Sequence, residues 1–190
     1  MDQAQKRISR HDLVAQGAIF EFEGEHRFLS NFGAGSVEMY GITFPTVEHA
    51  FAAAKLDPNG GVFTRAEVIA EMHRIAALPT PGAAKKAGRR RSWDGTQPGE
   101  KRRGEPRPFL RPDWEEVKLS LITELVRRKF AAPALAAKLL ATGDAPLFEG
   151  NTWGDRIWGG VETNGVFEGR NLLGEILMLI RSELRAAREA

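Results

Sequence analysis

Apolar residues recur along most of this chain at helical spacing. Val47, Phe51 and Ala54 stand at i, i+4 and i+7 with Ala50 beside them, which predicts a helix beginning at Thr46. Pro45 stops what precedes it, Thr46 is a good N-cap, and Asp57, Pro58 and the Gly60–Gly61 pair end it. Thr64 and Glu67 have capping-box spacing, and Val68, Met72 and Ile75 supply the inner face of the helix that follows. Residues 80–88 hold one or two short turns. Asp113, with Glu116 three residues on, starts a helix reaching about Phe130; Val117, Leu121 and Leu125 share a face that Ile122 and Val126 widen. Pro133 opens another, closed by Gly143. Asn171 caps the last. There Leu173, Leu177, Ile180 and Leu184 lie on one face and Leu172, Ile176 and Leu179 on the next, an arc wide enough to predict a central helix.

Period-two alternation is scarce. Ile19–Phe22 has short β character, and Val37 and Met39 alternate with Glu38 and Tyr40 toward Phe44, with Gly41 able to turn the chain. Residues 23–36 form a polar, Gly-rich connection, and residues 1–17 read as a loose or helical lead-in. There is no internal repeat. The expectation is a mainly α, single-domain fold over residues 18–187, with a small β element near the N-terminus.

Composition narrows the chemistry. With 42% hydrophobic and 27% charged residues among 190, the chain has the balance of a globular protein rather than a disordered one. The absence of cysteine excludes disulfides, thiolate metal sites and a Cys nucleophile. The four histidines never stand at i, i+4 and there is no HExxH, so no metal is expected. The polar N-terminus has no signal-peptide core, and the longest apolar stretch, near 172–180, is broken by Gly174 and Glu175; a cytoplasmic protein without a membrane span is expected. The net charge of +2 hides an uneven distribution: ten basic and three acidic residues from Lys85 to Arg111 give that segment +7. It reads either as a solvated basic loop or as a surface for phosphate or nucleic acid.

Three regions can carry chemistry. Glu48 falls in the first turn of a helix, where the backbone dipole favours a carboxylate; it lies off the apolar stripe and shares a face with Lys55, two turns later, with small Ala52 between. His49 points elsewhere, and no G-x-S-x-G elbow supports a serine triad. In residues 153–160, Trp153 and Trp158 flank Asp155 and Arg156 amid glycines. They either anchor an irregular loop to the core or wall a pocket that stacks on a base, with Asp155 beside it. Gly169, Arg170 and the amides at the start of the last helix can meet a phosphate or a ribose hydroxyl, although the pattern is not a dinucleotide fingerprint. Asn31, in Ser-Asn-Phe, can bond a base edge or cap a turn.

The ordered set RFLSNF at 27–32, FPTVEHAFAAAK at 44–55, DWEEVK at 113–118, LLATG at 139–143, DRIWG at 155–159 and GRNLLGEILMLIR at 169–181 resembles the NADAR family, also called YbiA-like, over about residues 20–185. The resemblance implies a compact, mainly helical domain with N-glycosidase activity. Some family members act on ribosylamino pyrimidine phosphates of early riboflavin synthesis, and others remove ADP-ribose from guanine. It places the family glutamate on Glu48, its helical lysine on Lys55, its Gly-Arg step on Arg89 and its helix-start tryptophan on Trp114. The D-x-x-W-G motif falls on Asp155, Trp158 and Gly159, and the G-x-N pair on Gly169 and Asn171. The chain departs from short members by a basic insertion at about 92–106.

N-glycosidic cleavage builds positive charge on the ribose carbon and ring oxygen, which a nearby carboxylate stabilises while it positions or deprotonates water. Glu48 is the expected catalytic carboxylate. Asp155 either orients water and ribose hydroxyls or is a second acid. Asn31, Lys55, Arg89, Trp114, Trp158, Gly159, Gly169 and Asn171 are expected to bind substrate, with no cofactor. The expected substrate is ADP-ribose linked to guanine, free or in DNA that the insertion would contact. A ribosylamino pyrimidine phosphate and a non-catalytic ADP-ribose module are the alternatives. A monomer is expected.

Overall fold

The computed structural model describes residues 6–59, 63–89 and 110–189; the basic insertion at 92–106 and the Gly60–Gly61 helix stop lie outside the described residues. In chain order the elements are β1 (Lys6–Ser9), α1 (Arg10–Ala15), a 3-10 helix (Gly24–Leu29), β2 (Val37–Met39), β3 (Ile42–Phe44), α2 (Val47–Ala53), α3 (Arg65–Ala76) and α4 (Pro81–Ala87). Then come α5 (Trp114–Phe130), α6 (Pro133–Ala141), β4 (Gly150–Asn151), β5 (Gly160–Thr163), β6 (Val166–Gly169) and α7 (Leu172–Glu189). They fall into two compact units: one comprises the chain through Gly33 and from Phe130 onward, the other Ala34–Lys129.

The Ala34–Lys129 unit follows local sequence rules closely. β2 and β3 pair antiparallel with Val37 opposite Phe44 and Met39 opposite Ile42. Their inward residues Val37, Met39, Ile42 and Phe44 are all buried. Tyr40 and Gly41, both at positive φ, make the two-residue turn that suits the strands' twist. Thr46 caps α2 as expected, and Thr64 and Glu67 close a full capping box on α3. Val68, Met72 and Ile75 are the buried face of α3. Two details differ. α2 ends at Ala53, where Leu56 N–H reaches back only three residues to the Ala53 carbonyl, so Lys55 sits in the following turn rather than two turns along the helix. On α5 the buried stripe is Ile122, Leu125 and Val126, while Val117 and Leu121 are only half-buried.

The other unit contains strands the sequence patterning does not show. A four-stranded sheet runs β1-β6-β5-β4, antiparallel except for the β4–β5 pair. β1 comes from the segment read as a lead-in, and α1 is its helical part, capped by Ser9. Of Ile19–Phe22, only Ile19 bridges, to Leu147. Strands of two to four residues are too short to establish an alternation. Leu13, Phe148 and Phe167 form a small core that Phe20 completes, with the Phe148 and Phe167 ring centroids 5.1 Å apart. α7 packs on α6, and its Leu173, Leu177 and Ile180 are buried. Its apolar arc is narrower than its sequence suggests, for Leu179 is 49% exposed. Buried Arg181 donates to the Thr142 hydroxyl and the Ala145 carbonyl just past α6. Among the described residues no helix is long and apolar enough to cross a membrane.

Candidate active site

In the Ala34–Lys129 unit, Glu48 occupies the first turn of α2, half-buried between the fully buried Val47 and His49. The start of that helix is fixed twice. The Thr46 hydroxyl lies 2.7 Å from His49 Nδ1, and His49 Nε2 lies 3.1 Å from the Leu78 carbonyl. A carbonyl only accepts, so Nε2 carries the proton and Nδ1 accepts from Thr46. Burial holds the His49 pKa below its ordinary value, outweighing the bond to Leu78 that raises it. His49 is therefore a neutral brace for the turn that presents Glu48.

Lys55 donates to the Gly88 carbonyl at 3.0 Å, and its ammonium stands 5.9 Å from the Phe51 ring centroid and 5.7 Å from that of Trp114. The two rings pack 5.0 Å apart at 47°, giving the cation an aromatic floor. Trp114 is itself buried, so it reaches this cluster as a core residue. Arg111 N–H bonds the Lys55 carbonyl, and its guanidinium grips Asp113 at 2.6 and 2.9 Å, which holds the Asp113 pKa below its ordinary value. Arg89 is exposed in the turn after α4, one residue beyond Gly88. The sequence-derived group Lys55, Trp114 and the Gly-Arg step is thus assembled here.

In the other unit, the 151–160 loop is stitched from inside. Buried Asn151 donates to the Asp155 and Gly160 carbonyls and accepts from Asp155 N–H at 2.9 Å. Asp155 Oδ1 accepts from the amides of Ile157 and Trp158, both at 2.9 Å. Its second oxygen has no partner among the described residues. The two tryptophans divide: Trp158 is half-buried, whereas Trp153 is 62% exposed.

Gly159 and Gly169 lie where backbones touch. A Cβ on Gly159 would fall 2.0 Å from the Glu149 carbonyl oxygen, and one on Gly169 would fall 2.1 Å from that of Gly159. The amides leading into α7 are all engaged: Arg170, Asn171, Leu172 and Leu173 donate to the carbonyls of Arg156, Gly159, Ile157 and Trp158. They are not open to a phosphate, contrary to the reading of the Gly-rich approach. Asn171, 3% exposed, turns its amide away from its own helix, accepting from Glu149 N–H and donating to the Leu147 carbonyl, each at 2.9 Å. Gly159, Gly169 and Asn171 therefore shape the site's frame. Arg170 Nε is buried without a hydrogen-bond partner among the described residues. Asn31 is half-buried in the turn after the 3-10 helix, and its amide has no partner among the described residues.

The same unit holds a cavity of about 360 Å³ lined by residues of the 10–30 and 149–167 segments, among them Arg27, Glu149 and Trp153. Sequence reasoning overlooked Arg27 and Glu149. Arg27 opens the RFLSNF motif, a signal that was legible; Glu149 has no periodic or motif signal of its own. Among the described residues no three His, Cys, Asp or Glu converge as a metal site.

The NADAR domain model matches residues 19–185. N-glycosidase YbiA of Escherichia coli is 34% identical over 182 residues, which is 94% of this chain and 96% of that protein. A riboflavin biosynthesis protein of Vibrio vulnificus is 32% identical over 180 residues, covering 93% of this chain and 41% of that longer protein. The solved NMR structure of Escherichia coli YbiA superposes with a TM-score of 0.63 at 31% identity, covering 90% of this chain and 87% of that one. With the motif residues in place, and the sequence and fold shared over nearly the full length, this chain belongs to the NADAR domain family.

Proposed function

We propose that this chain is an N-glycosidase that hydrolyses the bond between the ribose of ADP-ribose and a guanine base, with Glu48 as its catalytic carboxylate. The activity class is supported by relatives named N-glycosidase that align along almost all of their own length. The observation that carries the role of Glu48 is its place in a helix turn fixed by the Thr46–His49–Leu78 relay, half-buried where its neighbours are fully buried. A carboxylate so held stabilises positive charge developing at the ribose carbon and takes a proton from the attacking water; as the carbon–nitrogen bond breaks, the water oxygen bonds to that carbon and the proton is passed on, directly or through solvent, to the departing base nitrogen. Asp155 has one oxygen fixed by two amides, and the other, without a partner among the described residues, can accept from a water or a ribose hydroxyl. Arg170, whose buried Nε has no hydrogen-bond partner among the described residues, and Asn31 are polar groups suited to phosphate and ribose.

The +7 segment ranks guanine in DNA first, because a phosphate backbone rewards clustered Lys and Arg. A ribosylamino pyrimidine phosphate is the second reading, favoured by the likeness to the Vibrio riboflavin protein. The test is to incubate the protein with ADP-ribosylated guanine DNA and, separately, with a ribosylamino pyrimidine phosphate, following released base and sugar. Release from the first substrate is expected. Release only from the second would overturn the guanine assignment, and binding of ADP-ribose with no release from either would mark a non-catalytic module.

A further inference from the structure

We infer that Asn151 is the positioning residue for Asp155. Its buried amide holds both main-chain groups of that aspartate, and through them the place of its carboxylate. The inference rests on the reading of Asp155 as a group that accepts from a water or a ribose hydroxyl.

Nothing local in the sequence marks Asn151. It follows Gly150 in the two-residue strand β4, opposite Val161 on β5. In the fold it is 6% exposed, and its amide makes three hydrogen bonds, all to backbone. Nδ2 donates to the Asp155 carbonyl at 2.7 Å and to the Gly160 carbonyl at 3.1 Å, while Oδ1 accepts from Asp155 N–H at 2.9 Å. One side chain therefore closes the 155–160 turn at both ends. Gly159 gives it room: a Cβ there would crowd Asn151 Nδ2 at 3.1 Å.

With its N–H and its carbonyl both held, the main chain of Asp155 is fixed. Its Oδ1 then takes two further bonds, from Ile157 and Trp158 N–H. Two bonds on the main chain and two on Oδ1 set the carboxylate plane, and with it the position of the second oxygen. A carboxylate fixed before substrate arrives loses no rotamer freedom on binding and needs no reorientation as charge develops.

The arrangement is particular to Asn151. Asn171, also buried, spends its amide on Glu149 N–H and the Leu147 carbonyl and touches neither main-chain group of Asp155. Loss of the Asn151 amide would leave the Asp155 N–H and carbonyl without these partners, and the grip of Oδ1 on Ile157 and Trp158 would loosen with them.

The test combines kinetics with amide exchange for the parent, Asn151→Ser, Asp155→Ala and the double variant, on the substrate the parent cleaves. Asp155→Ala should lower kcat about 100-fold and Asn151→Ser about tenfold, with KM changing less in each. In the double variant kcat should match that of Asp155→Ala, because Asn151 acts through a carboxylate that is then gone. A residue that merely supports the loop would multiply its loss onto that of Asp155→Ala. Asn151→Asp, nearly the same size, keeps the acceptor and loses both donors; it should show the same pattern and serves where the serine variant does not fold. By NMR, Ile157 and Trp158 N–H should exchange about tenfold faster in Asn151→Ser, with amides in the middle of α7 unchanged. Parental kcat in the folded Asn151 variants, multiplied losses, or unchanged exchange would overturn the inference. Parental kcat in Asp155→Ala would remove the role of Asp155 and the inference with it. A parent that cleaves neither proposed substrate would remove the glycosidase reading, and exchange at Ile157 and Trp158 would then decide alone whether Asn151 holds Asp155.

Discussion

Two segments of this chain combine a helix start with candidate chemistry, and they are built in opposite ways. At α2 the closure is local: the Thr46 side chain meets His49 three residues on, and Glu48 is left between them in the first turn. At α7 the closure comes from far along the chain. The helix amides take carbonyls of the 156–159 loop, and Asn171 reaches back to Leu147 and Glu149. The glycines there look like an anion cradle in the sequence, but in the fold they let backbones touch, and the amides of Arg170 to Leu173 all have carbonyl partners. A helix N-terminus attracts an anion only when its N–H groups lack carbonyl partners. In this molecule the candidate side chains are carried on that fixed frame.

The contrast makes graded predictions. The largest effect should come from Gly169→Ala, whose Cβ would fall 2.1 Å from the Gly159 carbonyl oxygen and 2.6 Å from Gly160 Cα. No flexible side-chain end is available to yield, so a loss of about 4 kcal/mol or more is expected, seen as a lowered midpoint in urea unfolding. Near-parental stability would show that the backbone knot is looser than described. Asn171→Ala should follow at about 3 kcal/mol, from two orphaned backbone groups and the strain of φ 53 on a residue with a Cβ. Asn171→Gly relieves the strain and should recover only part of it. Thr46→Ala, which removes a local cap, should cost less, about 1–2 kcal/mol. A Thr46→Ala loss exceeding that of Asn171→Ala would reverse the comparison.

The smallest effect is acid destabilisation through His49. Its folded pKa lies below the ordinary 6.5, so the unfolded chain binds the proton more readily. This contribution is complete above about pH 6.5, declines as pH falls below it, and levels off below the folded value. Thermal unfolding from pH 7.5 to 5 should show the decline, and His49→Gln should flatten it.

The same contrast explains what the sequence disclosed. The Thr46 cap, the Thr64–Glu67 box and the Val37–Phe44 hairpin are written within a few residues, and each appears where local rules place it. β4 and β5 are not, because Gly150 and Gly160 have no side-chain pattern and pair only after the chain has returned. Asn171 was legible as a helix boundary, but its side-chain partners, 22 and 24 residues away, were not. The place of Glu149 beside a cavity was hidden for the same reason: the backbone bonds that hold it and the cavity it lines are both tertiary. Glu48 stood out because it departs from an apolar stripe, which is a local signal.

The most direct test of the account is to measure kcat and thermal unfolding of Glu48→Gln together, on the substrate the parent cleaves. The substitution keeps size and removes charge at a half-buried position, so the unfolding temperature should stay close to that of the parent. Turnover should fall at least ~100-fold, about 2.7 kcal/mol of barrier. A folded Glu48→Gln protein with parental turnover would contradict the assignment of Glu48 as the catalytic carboxylate.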